Sequence, residues 1–133
     1  MTQTHEISIQ TRARSEMINI TAQVQRFVAE AGAQNGVVTL FVPHTTAAIT
    51  INENADPDVV RDMTGFMDAL VPNDPAFRHA EGNSDSHIKT SLFGPSLQVI
   101  VKEGRLWLGT WQGIYFCEFD GPRSRRLYMA LTV

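Results

Sequence analysis

The chain has 133 residues, of which 43% are hydrophobic and 19% charged, and its formal net charge is −3. That length makes one domain with a core of its own, burying roughly two-thirds of the surface the unfolded chain exposes. The acidic balance excludes nucleic acid as the main partner, because no broad basic footprint is present to release counterions from a phosphate backbone. No apolar run approaches the roughly 18 residues of a membrane span, so no membrane partner is expected. The N-terminus MTQTHEISIQ lacks the basic and apolar regions of a signal peptide, and the expected location is cytoplasmic. The single cysteine, Cys117, leaves no internal disulfide and reads as a small core residue.

In chain order, residues 5–11 alternate with Ile7 and Ile9 on one face, and residues 16–20 repeat the pattern with Ile18 and Ile20. Thr21 reads as the N-cap of a helix carrying Val24, Phe27, Val28 and Ala31 at helical spacing, which Gly32 ends. Asn35-Gly36 is a turn signal before the strand Val37 to Val42. A second strand follows in HTTAAITINENADP, where Ala47, Ile49 and Ile51 share a face. If that strand runs one residue further, Glu53 falls on the apolar side, where a carboxylate must be paired, protonated or bound to a cation. If it does not, Glu53 is solvated.

Asp56-Pro57 predicts a helix start, with an Asp cap and Pro in the first turn. Val59, Met63, Phe66, Met67 and Leu70 then form an apolar stripe, leaving Asp58, Arg61, Asp62 and Asp68 to water. Residues 71–86 read as a polar loop, of the kind that is functional or mobile. A short helix is predicted over His87 to Phe93, capped by Ser84 or Ser86. Strands follow over Leu97 to Val101, Leu106 to Leu108, Ile114 to Phe119 and the last stretch containing Leu127, Met129, Leu131 and Val133. The order ββ-α-ββ-α-(short α)-ββββ is that of an α+β single domain, residues 1–133, with a mostly antiparallel sheet.

Several polar residues stand in places that invite chemistry. His44, His79 and His87 follow a strand, lie in the long loop and open the short helix, respectively. Three histidines can hold a divalent cation such as zinc with one position open, although no HExxH-type spacing is present and ordinary surface histidines are the alternative. The segment GTWQG flanks Thr110, Trp111 and Gln112 with glycine. It is either a bulge with a packed Trp or a close backbone approach to a ligand. Arg123, Arg125 and Arg126 form a cluster suited to a small anion, because a guanidinium fork matches phosphate or carboxylate oxygens. No P-loop, Rossmann fingerprint or nucleophile elbow is present.

Three segments, HTTAAITINENADPDVVRDM, HAEGNSDSHIKTSLFG and GRLWLGTWQGIYFCEFDGPRSRR, together resemble the YjbQ-like family over nearly the whole chain. That family is associated with a secondary thiamine-phosphate synthase activity and is otherwise largely uncharacterised. The resemblance implies a sheet curved toward a half-barrel with two main helices and one short helix, and a homotrimer. It implies a site in which His44, His79 and His87 hold a divalent metal, with Glu53 as general base or partner to a metal-bound water, and Lys89 clamping phosphate together with Arg125 and Arg126. Thr45, Asn83, Thr110, Trp111, Gln112, Arg125 and Arg126 would bind a small anionic substrate. In the implied reaction a pyrimidine diphosphate joins a thiazole phosphate as pyrophosphate departs, which needs a cation or Arg/Lys to take the leaving charge. The two rivals are a metal-assisted hydrolase and a trimeric module that binds a small ligand without turning it over. On the first reading the strand of residues 47–53 is a beam whose two ends deliver groups into one pocket.

Overall fold

The computed structural model describes all 133 residues. The chain forms β1 (Thr2–Gln10), β2 (Glu16–Asn19), α1 (Thr21–Ala31), β3 (Gly36–Phe41), β4 (Ala47–Glu53), α2 (Pro57–Leu70), α3 (Ser84–Phe93), β5 (Ser96–Lys102), β6 (Arg105–Leu106), β7 (Gln112–Glu118) and β8 (Ser124–Thr132). The strands make a five-stranded sheet, β1-β8-β3-β5-β6, and a three-stranded one, β2-β7-β4. Every pairing is antiparallel. Together they curl into a half-barrel, and the domain is α+β as the element order predicts.

The inner faces meet in one core. Val38 and Leu40 of β3, Ala47 and Ile49 of β4, Ile114 and Phe116 of β7, and Leu127, Met129 and Leu131 of β8 supply it. Helix α1 covers that core with Val24, Phe27 and Val28, the face its spacing predicts. Gly32 ends α1 at φ 70°, a conformation that glycine adopts without steric cost.

The outer face of β4 and β7 is covered too. Ala48, Tyr115, Cys117 and Phe119 form a second cluster there, against Phe93 of α3 and Val60 of α2. Strand β7 is therefore buried from Gly113 to Glu118, with no alternation of exposure. A strand covered on both faces carries near-continuous apolar residues.

Four local expectations are corrected. Ile20, not Thr21, is the N-cap of α1, and no side chain caps it there. Asn19 Oδ1 instead accepts from the Thr21 N–H at 3.0 Å and its hydroxyl at 2.7 Å, and the Thr21 oxygen accepts from the Ile114 N–H at 2.9 Å. Thr21 thus ties α1 to β7. Helix α3 starts at Ser84, three residues before His87, with Asn83 as its N-cap residue. No residue of α2 is buried, and Phe66 and Leu70 of its apolar stripe are exposed. Asp68 does not simply face water: it accepts from Lys89 Nζ at 2.6 Å, pinning α2 to α3. The cap of α2 is as predicted, with Asp56 Oδ1 accepting from the Asp58 N–H at 2.9 Å.

Candidate anion-binding site

The site begins with the alternation of β8. Its Arg125, Leu127, Met129 and Leu131 point inward and are buried, while Ser124, Arg126 and Tyr128 point out. The two-residue period thus drives a guanidinium inward, where an unpaired charge is costly. Its partner is Glu118 at the end of β7, on the same face as Ile114 and Phe116, and 0% exposed. Arg125 Nε donates to Glu118 Oε1 at 2.8 Å and Nη2 to Oε2 at 2.5 Å. Nη2 also donates to Thr46 Oγ1 at 2.8 Å and to its carbonyl at 3.2 Å.

Glu118 receives two further donors, the Thr11 hydroxyl at 2.8 Å and the Asp120 N–H at 2.9 Å. Burial alone raises the Glu118 carboxyl. The hydrogen bonds from Arg125, Asp120 and Thr11 outweigh it and hold the group below the usual carboxylate range. Arg125 Nη1 makes no hydrogen bond to the protein, and Arg125 is one of the residues that line the adjoining cleft.

That cleft has a volume of about 480 Å³ and is lined by Phe41, Val42, Pro43, His44, Thr45, Thr46, Pro95, Arg123 and Arg125. His44 Nε2 accepts from the Arg126 N–H at 2.9 Å. Burial, and next the nearby Arg125, push the His44 pKa below its ordinary 6.5. The ring is therefore neutral near pH 7, and the occupied Nε2 leaves the proton on Nδ1. Arg123 is half exposed and paired with Asp120 at 3.1 Å. Exposed Arg126 pairs with Glu6 at 2.9 Å. The cleft thus offers donors: an imidazole N–H, the Arg125 Nη1 group and the Thr45 hydroxyl.

The other expected site residues lie elsewhere in the chain. His79 and His87 stand edge to face, with ring centroids 5.3 Å apart. Asn83 Nδ2 donates to Asp120 Oδ2 at 2.7 Å, while its buried Oδ1 has no partner. Lys89 is 1% exposed and lines a separate cavity of about 430 Å³ with Arg14, Asp68, Asn73 and Asp85 among others. There Arg14 grips both oxygens of Asp85, at 3.0 and 3.2 Å. Burial opposes ionisation of Asp85, but the Arg14 hydrogen bond and charge win and keep its pKa low. Glu53 is half-buried in the last position of β4, paired across the strands with Gln112. Thr110 and Trp111 beside it are exposed.

Within one copy of the chain, β4 does not bring its two ends together. The seven residues of β4, at about 3.3 Å each, put its ends roughly 20 Å apart, so His44 and Glu53 do not share one pocket within a single copy. Nor does the expected metal set assemble in one chain. No three His, Cys, Asp or Glu residues lie close enough to hold an ion. His44 has given its lone pair to Arg126, and a protonated Nδ1 cannot coordinate. Reading the sequence also missed Glu118, Thr11 and Thr46. The alternation does carry a signal, since it puts Ile114, Phe116 and Glu118 on one face just as it puts Glu53 with Ile49 and Ile51.

Fold and cleft together define a small half-barrel α+β domain with a buried arginine–glutamate pair beside an open cleft at the start of its last strand. The family model described as "UPF0047 protein YjbQ-like" matches residues 5–133. The chain is 53% identical over 126 residues to UPF0047 protein YugU of Bacillus subtilis, covering 94% of this chain and 96% of that one. It is 50% identical over 123 residues to UPF0047 protein MJ1081 of Methanocaldococcus jannaschii, covering 92% and 89%. Among solved structures it is similar to an uncharacterised YjbQ/UPF0047 protein of Clostridium acetobutylicum, with TM-score 0.94, 50% identity and coverage of 96% and 99%. A conserved hypothetical protein of Thermus thermophilus gives TM-score 0.90, 40% identity and coverage of 96% and 99%. The chain belongs to the UPF0047, YjbQ-like family. None of its helices is long and apolar enough to cross a membrane.

Proposed function

We propose that the protein binds a small phosphate-bearing substrate in the cleft of His44, Thr45, Arg123 and Arg125, and acts on it as an enzyme. One observation carries this reading. Arg125 is fixed by four hydrogen bonds through Nε and Nη2, and Nη1 is left over for a ligand. Such a preorganised donor costs no reorganisation when negative charge arrives. His44 adds a neutral N–H donor.

The synthase reaction is the finer form of this reading. There Arg125 and the His44 N–H would take up charge on departing pyrophosphate, and Arg123 would add long-range attraction. A divalent metal would supply Lewis-acid chemistry to such a step. The chain's own donors do not fit one within a single copy, so no step is assigned to it. Assembly as a homotrimer belongs to the same proposal, supported by the open Phe66 and Leu70 of α2 and the open Phe41, Ile100 and Tyr128 of the large sheet. A cytoplasmic location fits a chain whose one thiol stays free.

The test is titration with inorganic phosphate, followed by NMR of the backbone amides around the cleft. Wild type should show saturable shifts at residues 44–46 and 123–126, weakened at least tenfold by Arg125→Lys and several-fold by His44→Gln. Turnover of a pyrimidine diphosphate with a thiazole phosphate, lost in the same variants, supports the synthase form. Saturable binding with no turnover of phosphate esters or of that pair supports a non-enzymatic module.

A further inference from the structure

We infer that Glu118 is the positioning residue of this cleft: it orients Arg125 so that one nitrogen alone meets the ligand. The inference rests on the anion reading above and deepens it. A buried ion pair is by itself a poor source of stability, since a well-packed apolar pair of similar volume often does as well. What this pair does is fix the orientation of the guanidinium. A carboxylate can grip a guanidinium in bidentate fashion either end-on, through both terminal nitrogens, or side-on, through Nε and one terminal nitrogen, and only the side-on form leaves a terminal nitrogen free. Here the carboxylate takes Nε and Nη2, Thr46 takes the rest of Nη2, and Nη1 remains.

Glu118 is itself held from two sides, so it is a rigid template. The Thr11 hydroxyl donates to the oxygen that faces Nε, and the Asp120 N–H donates to the oxygen that faces Nη2. Thr11 in turn accepts from the Arg123 N–H at 2.9 Å, which ties the end of β1 to the start of β8. All of Glu118 is buried, and it does not line the cleft. Its action on a ligand therefore passes through Arg125.

The experiment reads two signals in the full-length protein: hydrogen exchange of the Arg125 Nε–H by NMR, and inorganic phosphate affinity by titration. Wild type should show a slowly exchanging Nε–H. Glu118→Gln, which puts an amide donor where an acceptor stood, should speed that exchange and weaken phosphate at least tenfold while the backbone spectrum of the core is kept. Thr11→Val removes one anchor of the carboxylate and, with it, the acceptor of the Arg123 N–H, so the Arg125 Nε–H exchange is the readout that isolates the carboxylate's role. This variant should speed exchange less and weaken phosphate by about three- to tenfold, the worth of one hydrogen bond, and it decides the matter if Glu118→Gln does not fold. Unchanged exchange, or unchanged phosphate affinity beside a wild type that binds, overturns the positioning role. A wild type blind to phosphate, with exchange that still collapses in the variants, overturns the anion reading and leaves Glu118 only as the group that orders Arg125.

Discussion

The backbone N–H of Arg126 points at Nε2 of His44 across 2.9 Å, and this one contact sets the proton on the other ring nitrogen. A protonated ring would confront that N–H with a second donor. Burial, with the Arg125 charge, already lowers the pKa below 6.5. In the folded state the neutral form is favoured, so the unfolded chain binds the proton first as pH falls. The resulting stability is whole above pH 6.5 and is lost as pH drops from there to the lower folded value. Urea unfolding between pH 8 and pH 5 should show this loss in wild type, and His44→Gln should flatten it. An equal slope in both would show that His44 does not contribute. Further acid removes the stability held by Glu118 and Asp85, whose folded values are depressed, as pH falls through and below the ordinary carboxylate range.

The pairing of Lys89 with Asp68 is asymmetric, since the lysine side chain is 2% exposed and the aspartate 54%. Removing the aspartate strands an enclosed ammonium. Removing the ammonium leaves an aspartate that water can reach. Asp68→Ala should therefore cost about 2–4 kcal/mol, below or within the range for breaking a buried pair, and Lys89→Met should cost less. Chemical denaturation of the two variants measures the order. The reverse order would mean that Lys89 contributes mainly through its packing near Phe119.

Two glycines give opposite expectations. A Cβ on Gly121 would run into the Ala13 carbonyl oxygen and lie 2.8 Å from both Glu118 Cγ and Thr11 Oγ1. Gly121→Ala should destabilise by about 1–3 kcal/mol, as overpacking does, and should loosen phosphate because it displaces the group that holds Arg125. A Cβ on Gly65 of α2 meets nothing within 4 Å. Gly65→Ala should stabilise by about 0.5–1 kcal/mol through helix propensity. Thermal unfolding of the pair checks both signs.

Cys117 is wholly buried, and burial pushes its thiol up to about 12. The native protein should leave a thiol reagent unreacted over hours at pH 8, and one equivalent should react on unfolding. Rapid native labelling would show that β7 opens far more easily than its two-sided burial implies.

Much of the fold is legible in the residues themselves. The apolar faces of α1, β4 and β8 are written at periods of 3.6 and 2, and Asp56-Pro57 and Gly32 mark helix ends through backbone chemistry alone. The start of α3 was missed because SDSH carries no apolar period, its first turn being held by tertiary partners. Ser86 Oγ donates to the Phe119 carbonyl at 2.5 Å, and Asp85 is clasped by Arg14.

By itself the sequence determined the element order, the inward face of each strand, the single free thiol and the membership of a family. It also placed arginines at the start of the last strand. The tertiary structure alone decided which charges meet. Glu118 and Arg125 are seven residues apart in sequence and face each other only because β7 and β8 lie in different sheets that close around one core. His44 and Glu53, nine apart, are separated because an extended strand lies between them. Periodicity sets the direction of a side chain, but its partner is set by how the strands that carry the two residues are folded against one another.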